Sequence, residues 1–228
     1  MDNIDPAQRL KIVIPVLGDD APLVALLSWL SDHQLRAIVV DGAASNMTRQ
    51  LVCDPHVYLS HTPGRGAQIA RGIEAADADW VWVLHADGIP SRAAVQQLFQ
   101  LIKADRPCWG RFNVEIDGLS LVAYMMNVRS RLSKICTGDQ GMFFHARLLA
   151  KIGGYPAQPL MEDIEVSKRL KAAVPDAFVA ASAKVETSPR RWQHSGVMRT
   201  ILVMWLFRWR YFRGADPAVL ARAYYHGG

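Results

Sequence analysis

Two runs of residues in this chain carry no polar face, and each ends at an aspartate. Residues 37–40 read Ala-Ile-Val-Val and run into Asp41-Gly42; residues 80–84 read Trp-Val-Trp-Val-Leu and run into His85-Ala86-Asp87-Gly88. A strand with one wet face alternates in polarity. A strand that is apolar throughout needs cover on both faces, as in a parallel sheet sandwiched between helices. In such sheets ligands bind outside the carboxyl ends of the strands. Asp before Gly is also ordinary turn chemistry, so the weight lies on the pairing of two carboxylates at one edge. That edge suits a metal, a ribose hydroxyl or a cation bridging phosphates, and predicts an enzyme acting on a nucleotide-activated substrate.

The rest of the chain supports that class. Residues 11–17 read as a first strand, 21–30 as a helix and 36–40 as the second strand. Residues 62–66 read as a loop before a helix over 67–76. The strand at 80–84 is followed by a helix from Ser91, a capping residue, to about Lys103. Strand patterns follow at 109–116, 141–145 and 178–185, with helices at 119–135, 162–173 and 197–212. Strands alternating with helices through short links define an α/β sheet. With 228 residues, 50% hydrophobic and 21% charged, the chain fits one globular domain with a C-terminal helical tail. We place the division at 1–195 and 196–228.

The net charge of +5 suits anionic partners such as nucleotides or a phospholipid surface, and is also common without them. Cys53, Cys108 and Cys136 have no metal-ligand spacing and read as reduced, buried thiols. The start, Met1-Asp2-Asn3-Ile4-Asp5-Pro6, is unlike a signal peptide. No apolar run reaches the roughly 18 residues of a membrane-spanning helix. These features predict a cytoplasmic protein.

Several short segments carry chemistry. Gly64-Arg65-Gly66-Ala67-Gln68 precedes a helix, where glycines let backbone approach a phosphate and Arg65 adds charge; taken alone it reads more readily as a flexible loop. Thr137-Gly138-Asp139-Gln140-Gly141 either presents Asp139 to an acceptor or is a plain turn. Glu162 and Asp163 are adjacent acids at a helix start, where they favour the helix dipole or position a general base. Arg190, Arg191 and Trp192 follow the last strand and suit a diphosphate leaving group, or form a solvated basic loop. The tail interleaves Trp205, Leu206, Phe207, Trp209, Tyr211 and Phe212 with Arg208, Arg210 and Arg213. Such a helix packs on the core with snorkelling arginines or lies at a membrane interface.

In order, these pieces resemble a family 2 glycosyltransferase of the GT-A fold, a Rossmann-like mixed, mostly parallel sheet flanked by helices. Among such enzymes they look most like the bacterial arsenosugar-biosynthesis type. The likeness runs from Ile12 to about Tyr224 and rests on Leu84-His85-Ala86-Asp87, Trp109-Gly110-Arg111-Phe112, Thr137-Gly138-Asp139-Gln140, Pro159-Leu160-Met161-Glu162-Asp163-Ile164 and Arg190-Arg191-Trp192. The resemblance implies an inverting transfer of a sugar from a nucleotide-diphosphate donor to a hydroxyl acceptor, small or lipid-linked, assisted by Mg²⁺ or Mn²⁺. It implies donor contacts at Pro15, Asp19, Asp41, Gly64, Arg65, Gln68 and Asp87, with Asp87 holding the metal and His85 standing where the motif's first acid usually is. It implies a catalytic base at Asp163 beside Glu162. Asp139, Gln140, Arg190, Arg191 and Trp192 would serve the acceptor and diphosphate.

The pattern departs from the family at Gly18-Asp19, at Ala44, Asn46 and Met47, and at Ala70, all in the donor half. Two other readings follow. One is a non-catalytic relative that only binds nucleotide sugar. The other is a nucleotidyltransferase, which the acidic Gly18-Asp19-Asp20 turn opposes where a basic Gly-rich loop is wanted. No nucleic acid partner is expected, and peripheral membrane contact would run through residues 197–213.

Overall fold

The computed structural model describes residues 5–18 and 20–226, and the side chains of all of these except 191, 194, 195, 225 and 226. Strands β1 (Leu10–Val16), β2 (Ala37–Asp41), β3 (Val57–Ser60) and β4 (Trp80–Val83) form a parallel group in the order β3-β2-β1-β4. Beyond β4 the eight-stranded sheet continues through β7 (Phe143–His145), β6 (Trp109–Ile116), β8 (Phe178–Thr187) and β5 (Gly88–Pro90). β7 is antiparallel to β4 and β6, and β5 is antiparallel to β8, while β6 and β8 run parallel. The architecture is the mixed α/β sheet the sequence predicts.

Both faces are covered, which is why β2 and β4 need no polar side. On one face Ile12, Ile14 and Val16 meet α1 (Asp20–Asp32) through Leu23 and Leu26, with α4 (Arg92–Lys103) beside it through Leu98 and Ile102. On the other, Val13, Val40 and Val83 meet α3 (Arg65–Glu74) through Ile69, with Val166 and Leu170 of α7 (Glu162–Ala173) behind. Gly72 lets α3 sit close, because a Cβ there would overlap Val13. Ser91 caps α4 by accepting from the Ala94 amide at 3.2 Å.

Several elements differ from the sequence reading. Arg65 and Gly66 lie in the first turn of α3 rather than in a loop. Helices α2 (Asn46–Leu51), α6 (Ala146–Lys151), α8 (Arg190–Ser195) and α10 (Pro217–His226), with strands β3 and β5, are too short or too weakly periodic to stand out. Helix α5 spans Ser120–Ser133 and α9 spans Val197–Phe212. Cys108 and Cys136 are buried free thiols, but Cys53 is exposed, because it follows α2 in a surface turn.

The chain's last helices cover the start of α7. Phe207, Leu220 and Ala221 pack with Leu160, Met161 and Ile164. The Tyr211 hydroxyl donates to Glu165 at 2.5 Å. Burial alone would raise the Glu165 carboxyl, but hydrogen bonds from Tyr211, Arg169 and Lys168 outweigh it and hold it down at about 2. A depressed carboxyl stabilises the fold fully above its ordinary value of 4.5 and loses that contribution as pH falls towards about 2. Tyr211→Phe is therefore expected to flatten the fall in melting temperature between about pH 5 and about pH 2. Melts across that range in both proteins test it; identical acid slopes would argue against the tether.

Candidate active site

The connection from β3 to β4 crosses β1, so the strand order reverses between β1 and β4. In open α/β sheets that crevice, at the carboxyl ends, receives ligands. Here Pro15 is the last residue but one of β1, and His85, Ala86 and Asp87 follow β4. β5 pairs Gly88 with Thr187 of β8, which carries Asp87 to the segment leading into α8. The result is a polar cavity of about 300 Å³ lined by Pro15, Arg65, Asp87, Asp139, Arg190 and Trp192, along with His85, Ala86, Thr187 and Ser188. Six of the residues singled out in the sequence thus converge from five separate segments.

The short turn at Gly138–Gln140 ties the cavity together. Thr137 and Gln140 close it as a capping box. The Asp139 carboxylate meets Nδ1 of His85 at 3.1 Å. The Gly138 amide donates to Oδ2 of Asp163 at 3.0 Å, and Oδ1 accepts from the Ile164 amide at 2.8 Å. Each carboxylate oxygen has two lone pairs, so Asp163 keeps proton-accepting capacity. Asp163 borders a recess with Arg65 and Arg208. Next to it, Arg65 Nε donates to Glu162 Oε1, while Glu162 Oε2 is buried without a partner among the described residues. Burial pushes the Glu162 carboxyl up, against the pull of Arg65. Met161, just before these acids, sits in the left-handed region at φ 62°, a conformation that L residues hold at a cost and that often marks functional sites.

Other candidates serve the protein's own backbone. Asp41 is fully buried and accepts from the Ala43 and Ser45 amides at 2.8 and 2.7 Å and from the Tyr58 hydroxyl at 3.1 Å. Gln68 donates to the Val16 and Val40 carbonyls at 2.8 and 2.7 Å and accepts from Gly64, fastening the ends of β1 and β2. Gln140 is buried and donates to Ser130 and Asn127. None of the three lines the cavity. Asp19 and the Arg191 side chain lie outside the described residues.

No group of three or more His, Cys, Asp or Glu side chains is placed to hold a metal ion among the described residues. Mg²⁺ and Mn²⁺ ask for less when a substrate diphosphate completes their shell: one or two carboxylates suffice. Asp87 fits that role. Burial pushes its carboxyl up, His85 opposes this, and the negative Asp139 adds to it. A cation would offset both the burial of Asp87 and its repulsion by Asp139.

Sequence reasoning missed Arg129 on α5 and assigned no site role to Arg208 on α9. Both lie on a cavity wall shared with Asp139 and Trp192. A signal existed: Val122, Met126 and Arg129, like Ile201, Trp205 and Arg208, follow i, i+4, i+7 spacing, so each arginine ends an apolar stripe.

The fold and cavity define an α/β protein with a polar crevice at the carboxyl edge of its sheet, and comparison makes the class specific. Residues 12–147 match the model of glycosyl transferase family 2, so the chain belongs to that family. No curated protein matches it. Among solved structures it is similar to the mannosyltransferase PcManGT from Pyrobaculum calidifontis in complex with GDP-Man and Mn²⁺, with 18% identity, 96% of this chain and 70% of that one covered, and a TM-score of 0.66. It is also similar to S. aureus TarS 1–349 in complex with UDP-GlcNAc, with 14% identity, 79% and 58% covered, and a TM-score of 0.64. A third is glucosyl-3-phosphoglycerate synthase from Mycobacterium tuberculosis with Mn²⁺, UDP and glucosyl-3-phosphoglycerate, with 18% identity, 81% and 72% covered, and a TM-score of 0.55. At these identities the likeness is one of GT-A fold. The alignment with TarS spans about three-fifths of that chain.

Proposed function

We propose that the protein transfers a sugar from a nucleotide diphosphate to an acceptor hydroxyl with inversion at the anomeric carbon. The observation carrying this reading is the Gly138–Gln140 turn, which links Asp163 through one amide and His85 through Asp139, while Arg65 lines both the polar cavity and the recess that Asp163 borders. Asp163 takes the acceptor proton as its oxygen bonds to the anomeric carbon and the bond to the diphosphate breaks. The acceptor becomes a glycoside, and nucleoside diphosphate leaves. Arg65 and Arg190 add positive charge beside the departing diphosphate, and Trp192 walls the sugar side. Bound at Asp87, Mg²⁺ or Mn²⁺ would neutralise charge on that leaving group. Buried Glu162 holds Arg65 and balances its charge. The internal hydrogen bonds of Asp41, Gln68 and Gln140 favour a positioning role behind the donor edge. The nucleotide ligands and Mn²⁺ in the structural neighbours support this reading.

On the same reading residues 1–195 form the catalytic domain and 196–228 a helical extension. The likeness to arsenosugar-type enzymes remains our assignment within the family. No described helix is long and apolar enough to cross a membrane. We assign the protein to the cytoplasm, with α9 as the element that meets a membrane face.

A thermal-shift screen of UDP-, GDP-, TDP- and CDP-sugars with and without Mn²⁺ tests the donor half. One donor is expected to raise the melting temperature by about 5 °C or more at saturating concentration, only with metal. Asp87→Ala should abolish the shift. No shift with any donor would overturn the reading, and binding without turnover would favour a relative that only binds nucleotide sugar.

A further inference from the structure

The Asp139 and Trp192 wall of the donor cavity has a second cavity behind it, of about 140 Å³, between α5 and α9. Its walls are apolar, with Met126 on one helix and Ile201 and Met204 on the other, yet Arg129 and Arg208 face into it. Nε and Nη2 of Arg129 and Nε of Arg208 are buried with no hydrogen-bond partner among the described residues. Burial draws both guanidinium pKa values down, Arg129 to about 10 with the charge of Arg208 adding to the fall, while Asp163 opposes it at both arginines and Asp139 at Arg208. Neither arginine reaches a described carboxylate within ion-pair distance. Two desolvated cations with inward donors make poor packing and a good oxyanion seat, because guanidinium forks match phosphate and carboxylate geometry.

The surroundings narrow the ligand further. Arg208 borders the recess that holds Asp163, so a ligand anchored there has neighbouring atoms beside that carboxylate. Outward, the cavity is flanked by exposed apolar side chains: Leu121, Met125 and Leu132 on α5, and Leu202, Trp205 and Trp209 on α9, between 49% and 79% exposed. A monomer seldom leaves such a surface without a use. A fully polar acceptor would leave these rows uncovered, and a neutral one would leave the arginines unpaired.

We propose that this cavity is the acceptor subsite and takes an anionic amphiphile, its oxyanion held by Arg129 and Arg208 and its apolar chain leaving between Met125 and Trp205. The inference rests on the glycosyl-transfer reading for the word acceptor, but its test uses no sugar donor. Loss of the donor thermal shift would overturn transfer while leaving the subsite; loss of amphiphile binding would overturn only the subsite.

The test is a titration of the full chain with octyl phosphate, octyl glucoside and inorganic phosphate, followed by tryptophan fluorescence. Octyl phosphate is expected to bind saturably and at least about tenfold tighter than either control, equivalent to about 1.4 kcal/mol. Arg129→Gln and Arg208→Gln should each weaken it by about tenfold without lowering the apo melting temperature, since each removes an unpaired buried cation. Arg208→Lys, which keeps charge but loses the fork, should fall between. A purely structural role predicts the reverse pattern, lower melting temperature and unchanged preference. Equal affinity for octyl phosphate and octyl glucoside, or wild-type affinity in both Gln variants, would overturn the proposal. Co-sedimentation with phosphatidylcholine vesicles, with and without phosphatidic acid, then separates the sources: arginine-dependent capture by the acidic vesicles assigns a bilayer lipid, and octyl phosphate binding without capture assigns a dissolved amphiphile.

Discussion

Asp163→Asn is expected to lower the transfer rate by about 10²–10⁴-fold, the usual worth of a positioned general base. Asparagine keeps the size of the side chain but has no proton-accepting carboxylate. It also turns one of two acceptor oxygens into a donor, facing either the Gly138 or the Ile164 amide. One hydrogen bond is therefore lost, worth about 1 kcal/mol of stability. Donor affinity should change by no more than about twofold, because the loss falls on the chemical step rather than on binding. Single-turnover rates and donor titrations separate the two. A variant with wild-type turnover would remove Asp163 from the mechanism and leave the acceptor to be deprotonated elsewhere.

Gly138→Ala is expected to be as damaging although glycine carries no chemistry. A Cβ at this position would overlap the imidazole of His85. The ring cannot simply retreat, because Nδ1 is held by Asp139. The turn must shift instead, which moves the Gly138 amide off Asp163. Overpacking of this kind costs about 1–3 kcal/mol of stability, and misplacing a reacting group by about 1 Å costs about 10²-fold in rate. Combining Gly138→Ala with His85→Ala makes room for the methyl group. The double variant should regain most of the lost stability, a strongly non-additive result readable in a double-mutant cycle. Strict additivity of the two changes would mean that the turn does not press on His85.

How much of this was legible in the residues varies by position. The 109–116 strand and the helices at 162–173 and 197–212 appear with the same limits in the structure, because hydrophobic period and capping are local properties. Ser91 is another such case, since a hydroxyl before an apolar stripe meets the amide three residues on wherever the helix lies. The carboxylates at 41 and 87 were equally legible as chemistry but not as function. Both follow apolar strands. Asp41 folds back on its own loop amides, while Asp87 faces a cavity because β5 pins its loop to β8. Arg129 was hidden for a related reason, since an arginine on an amphipathic helix ordinarily reaches solvent.

The sequence by itself determined the class of fold, the order of its elements and the set of acids and arginines able to do the work, because each depends on near neighbours along the chain. Which of those groups share a cavity was decided only by the tertiary structure. The crossing of β1, the reversal at β7 and the docking of α9 over α7 bring together residues up to 177 positions apart, and pairing over such distances follows from how the sheet closes and what it buries, not from any local pattern.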